Sequence, residues 1–77
     1  MEGELTKMEE YMQRVLNEQF ELNAKIVKLA DFIENNQQYH MLQKEEQDDM
    51  VEQLKVMREY TKILERRILR FQKNRRV

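Results

Sequence analysis

Apolar side chains recur at alternating steps of four and three residues in two stretches of this chain. The first runs Met8, Met12, Val15, Gln19, Leu22, Ile26, Leu29, Ile33, and the second Met50, Leu54, Met57, Thr61, Leu64, Ile68, Phe71. Such spacing gathers each set on one side of an α-helix, and a stripe of this kind leaves water only by packing on another helix. The pattern predicts a helix over 4–34, a polar loop over 35–43 and a second helix over 44–74. At 1.5 Å per residue each helix is about 45 Å long, and two helices of equal length joined by a short loop favour an antiparallel hairpin.

The apolar arcs extend beyond the seams. Leu16, Phe20, Val27 and Ala30 flank the first on one side and Phe32 on the other. Val51 flanks the second on one side, with Val56, Tyr60 and Ile63 on the other. Arcs of roughly 160° are wider than a two-stranded seam requires. One hairpin leaves part of them wet, and a core of this size gives only a few kcal/mol. The expected architecture is therefore all-α: an antiparallel two-helix hairpin that assembles with copies of itself into an oligomeric helical bundle. Gln19 and Thr61 interrupt the seams, as polar residues that set register do.

Local signals agree with these boundaries. Thr6 followed by Glu9 can form a capping box at the first helix start. Asn35 and Asn36 suit a helix end because Asn tolerates the left-handed conformation. Tyr39, Met41 and Leu42 are expected to tuck under the loop end. Glu45, Glu46, Asp48 and Asp49 crowd the start of the second helix, and Arg66, Arg67, Arg70, Lys73, Arg75 and Arg76 its end, each matching the helix dipole. In an antiparallel pair the acidic Glu2, Glu4, Glu9 and Glu10 lie beside that basic end.

Composition narrows the function classes. The 77 residues include no Pro, one Gly and no Cys, which suits one domain of unbroken helices and excludes disulfides and thiolate metal sites. The longest apolar run is far short of the roughly 20 residues that span a bilayer, and the acidic start lacks an export core. A cytoplasmic protein is expected. The net charge of −1 argues against a general nucleic-acid binder. His40 is the only histidine and no glycine-rich phosphate loop exists. Carboxylates one turn apart, such as Glu45 with Asp49, read as a solvated first turn. Neither catalysis nor a cofactor or metal is expected.

Binding remains. Gln53, Tyr60 and Arg67 recur every seven residues along one border of the second seam. They offer an amide, a phenol ring and a guanidinium that grips phosphate bidentately. The row suits either the edge of a pocket for an anionic or nucleotide ligand or a polar rim that staples neighbouring helices. Tyr39 with Lys55 and Arg58 forms a second candidate cluster near the loop end.

The run Tyr39-His40-Met41-Leu42-Gln43-Lys44-Glu45-Glu46-Gln47-Asp48-Asp49-Met50, of the form Y-x-x-L-x-x-E-E-x-x-x-M, resembles the entry to the second helix in small phage-encoded helical-hairpin proteins. These include the anti-CBASS cyclic-nucleotide sponges. Gln53, Met57, Tyr60, Leu64 and Arg67-Ile68 continue the similarity over about half of the chain. The resemblance implies a compact oligomer that sequesters cyclic nucleotide immune messengers without cleaving them. It implies ligand contacts from a Tyr near this loop, matched by Tyr39, and from a basic residue on the following helix. That second position falls on Leu54, with Lys55 beside it, and Gln43 stands where a Ser or Thr is usual. Expected partners are further copies of the chain and a cyclic dinucleotide or related signal. The alternative is a protein-interaction module whose spare apolar face docks a partner helix.

Overall fold

The computed structural model describes residues 6–75. Helix α1 spans Lys7–Asn35, a 3₁₀ turn spans Gln37–Met41, and helix α2 spans Lys44–Arg75. The two helices pack against each other as a hairpin measuring 56 × 20 × 16 Å. Its radius of gyration is 17.3 Å, against about 11.5 Å for a compact domain of this length. No helix among the described residues is long and apolar enough to cross a membrane.

Helix α1 begins where the capping signal places it. The Glu9 amide donates 3.1 Å to the Thr6 hydroxyl, and the Thr6 amide donates 3.0 Å to the Glu9 carboxylate. This reciprocal pair satisfies two end donors. Glu2 and Glu4, expected beside the basic end, and the expected helix start at Glu4 lie outside the described residues. At its other end the helix closes with the Asn36 amide donating 3.1 Å to the Phe32 carbonyl. Asn36 is extended, at φ −98° and ψ 123°, rather than left-handed. It ends the helix through its side chain, whose carbonyl accepts 2.8 Å from the Gln38 amide and so opens the 3₁₀ turn.

Gln47 holds that turn onto α2. Its side-chain amide donates 2.8 Å to the Tyr39 carbonyl and 3.1 Å to the Leu42 carbonyl. Its own backbone amide donates to Gln43, in the first turn of α2. Tyr39 and Leu42 are half-buried, but Met41 is 82% exposed, contrary to the expectation that all three tuck inward. A 3₁₀ helix repeats every three residues, so Tyr39 and Leu42 share a face that the intervening His40 and Met41 do not. Replacing Gln47 by Leu removes both donors, and a cost of about 1–2 kcal/mol is expected. A denaturation midpoint unchanged in Gln47→Leu would show that the clasp is ornamental.

The core is a single line of seam residues. Met12, Val15 and Leu22 of α1 and Leu54, Leu64 and Ile68 of α2 are buried, with Ile26, Met57 and Phe71 packed beside the cluster. The two polar seam residues meet: Gln19 donates a long 3.4 Å hydrogen bond to the Thr61 carbonyl. The Thr61 hydroxyl in turn donates 2.7 Å to the Asn23 side chain. A slip of one helical turn would break both bonds, so these residues specify register as the sequence predicts.

Lys44 pairs with Asp48 at 2.7 Å on the exposed start of α2. This hydrogen bond, with the attraction of the same carboxylate, raises the Lys44 ammonium above its ordinary value. Whatever stability the pair adds is present below the ordinary lysine range and fades as pH rises through the raised value. Both partners are solvated, so the contribution is small.

Candidate functional site

The open end of the hairpin gathers the chemistry. Tyr11 immediately precedes the seam residue Met12, and Arg67 immediately precedes the seam residue Ile68. Antiparallel packing turns these matching edge positions toward each other. The Arg67 guanidinium donates to the Tyr11 hydroxyl, and its carbon lies 5.8 Å from the Tyr11 ring centre. That separation is within cation–π range. A guanidinium carries five N–H donors and Tyr11 accepts one, so donors remain for an anion.

Around this pair lies a cleft of about 170 Å³ lined by Tyr11, Met12, Arg67, Arg70, Phe71 and Asn74. Arg70 is exposed and has no hydrogen-bond or ion-pair partner among the described residues. Two guanidinium groups, a phenol, an amide and an aromatic ring are the set that grips a phosphate and stacks a planar ring. Across Phe71 a second open cleft of about 290 Å³ is bordered by Thr6, Met8 and Glu9. The Glu9 carboxylate gives that side the opposite charge character. Met8, expected in the first seam, is 59% exposed because it stands at this open mouth.

The expected row divides. Arg67 is half-buried and does staple the two helices, through Tyr11. Gln53 and Tyr60 stay exposed on the same edge of α2, without a cross-hairpin hydrogen bond among the described residues. Val56 stands between them in sequence and Ile63 between Tyr60 and Arg67, so an exposed stripe of mixed polarity leads along α2 to the cleft.

The second cluster is not gathered. Tyr39 lies in the 3₁₀ turn, its ring edge-on to Phe32 at 6.3 Å and to His40 at 5.4 Å. Its hydroxyl donates a 3.5 Å contact to the Gln47 carbonyl. Lys55 and Arg58 are exposed on α2 and share no hydrogen bond with Tyr39. Arg67 therefore meets an aromatic side chain that sequence reading passed over. Tyr11 was detectable from its place before a seam residue, the place Arg67 occupies on the other helix. Among the described residues no group of three or more His, Asp or Glu is placed to hold a metal ion.

A protein-family model described as Sequestin matches residues 9–70. The match spans both helices and the turn, and includes Tyr11 and Arg67. No curated protein and no solved structure matches the chain.

Proposed function

Because this chain belongs to the Sequestin family, whose name points to sequestering rather than turnover, we propose that it is a non-enzymatic sponge for cyclic nucleotide-type immune signals. On this reading it is a phage counter-defence protein that acts in the cytoplasm of the bacterial host. The observation that carries the ligand class is the pairing of Arg67 with Tyr11 beside an unpartnered Arg70. Guanidinium groups neutralise the phosphates, and Tyr11 presents a ring face for a base. Gln53 and Tyr60 extend the same edge for the rest of the ligand.

The cleft also supports sharing between protomers. At about 170 Å³ it is smaller than the roughly 300–1,000 Å³ of ordinary ligand pockets, and it is open to solvent. A cyclic dinucleotide seated there keeps much of its surface wet until a second copy closes over it. Tyr39, Lys55 and Arg58, scattered within one chain, are candidates to be contributed by that second copy.

The test is a thermal melt of the purified protein against a panel of cyclic dinucleotides and cyclic ADP-ribose relatives. A ligand that binds only the folded state at 100 times its dissociation constant adds about 2.7 kcal/mol. For a domain of this size that raises the melting temperature by about 10 °C or more. Recovery of the signal intact after denaturing the complex would establish capture without cleavage. Unchanged melting across the whole panel at high excess would refute the reading.

A further inference from the structure

The outward face of α1 carries an apolar patch that the hairpin does not use. Phe20 is 77% exposed and Val27 66%, with the exposed Ala24 between them and Leu16 along the same side. The chain as a whole exposes 6750 Å², against about 5,100 Å² for a compact monomer of its mass. The surplus exceeds the roughly 800 Å² that a standard interface removes from each partner.

We infer that this face pairs with the same face of a second copy, antiparallel, about a two-fold axis passing beside Ala24. Charge settles both the occupant and the register. Arg14, Glu21 and Lys28 follow one another seven residues apart along one border of the patch, alternating in sign. Centring the pair on Ala24 opposes Glu21 of each copy to the second copy's Lys28. Sliding by one heptad opposes Glu21 to Glu21 in one direction and Lys28 to Lys28 in the other, and like charges so placed repel. Glu21 and Lys28 are exposed and have no ion-pair partner in their own chain among the described residues.

Size agrees with charge. In the centred register Ala24 faces the second copy's Ala24 at the axis, and Phe20 lies level with its Val27 on either side. The small pair at the axis lets the helices approach closely, and the apolar pairs beside it close over the exposed Phe20 and Val27. The antiparallel arrangement also sets the 3₁₀ turn of each copy at the height of the other's open end. This inference deepens the shared-pocket reading by naming the contact between protomers, yet its test contains no nucleotide. It can fail while ligand capture stands, and the reverse holds too.

The chain has no native cysteine, so a single introduced thiol reports on this geometry directly. Ala24→Cys, placed beside the axis, is expected to form an intermolecular disulfide under mild oxidation, because that bond requires Cα atoms within about 7 Å. Lys62→Cys, exposed on α2, is the control expected to remain reduced. In sedimentation, Phe20→Glu is expected to weaken dimerisation about tenfold or more. Glu21→Lys is expected to weaken it and Lys28→Glu, added to Glu21→Lys, to restore it, a rescue that a folding defect would not give. Equal cross-linking at 24 and 62, absence of rescue by the charge swap, or a lone protomer at micromolar concentration would each overturn the inference.

Discussion

Leu64→Ala is expected to remove most of the stability of this protein, at a cost of about 3–5 kcal/mol. Leu64 is the one described side chain with no exposed surface, and it sits among Met12, Val15, Leu22 and Ile68. Truncation there deletes apolar contacts and leaves a cavity that two straight helices, held by a single line of side chains, collapse around poorly. A core of this size stabilises the chain by only a few kcal/mol, so the loss is comparable to the whole. The cooperative thermal transition seen by circular dichroism should disappear or fall far below that of the parent. Leu69→Ala supplies the contrast. Leu69 is 58% exposed, so its truncation should change stability by no more than about 0.5 kcal/mol. If both variants melt alike, Leu64 does not lie between the helices and the pairing described above is wrong.

That contrast rests on the feature most legible in the sequence. Heptad spacing is a local property, so it separated Leu64 from Leu69 without knowledge of the partner helix. The same holds for the capping box at Thr6 and Glu9 and for the polar seam pair Gln19 and Thr61, which the structure brings together. What escaped was whatever depends on which residues oppose one another across the hairpin. Tyr11 belongs to no seam and no motif, and only its place before Met12, matching that of Arg67 before Ile68, points to a partner 56 positions away. Gln47 is likewise an unmarked polar residue until the turn folds back and offers it two carbonyls. Met41 was misplaced for a different reason: apolarity predicts burial, but a three-residue period in the turn spends the inward positions on Tyr39 and Leu42. Candidate ligand residues are harder still to read, because the side chains that bind a shared ligand need share no periodicity within one chain.

Arg67 joins the two lines of reasoning, since it belongs both to the legible row on α2 and to the unforeseen pair with Tyr11. Its replacement is therefore expected to have the second largest effect, but on ligand capture rather than on folding. Arg67→Ala removes a charge-assisted, bidentate phosphate grip, and affinity for whichever cyclic nucleotide raises the melting temperature should fall about 10- to 100-fold. The loss of its hydrogen bond to Tyr11, at an exposed edge, should lower stability by about 1 kcal/mol at most. Two further variants separate the roles. Arg67→Lys keeps the charge and loses the planar fork, so affinity should recover only in part. Tyr11→Phe keeps the ring for stacking and removes the acceptor that holds Arg67, so it should weaken binding less than Arg67→Ala does. A double-mutant cycle between positions 11 and 67 would then give a clear coupling in binding and one of no more than about 1 kcal/mol in stability. If Arg67→Ala lowers stability strongly while isothermal titration shows affinity unchanged, the pair serves the hairpin alone and the ligand is held elsewhere. The exposed Gln53 and Tyr60, farther along the same edge of α2, would then be the first positions to substitute.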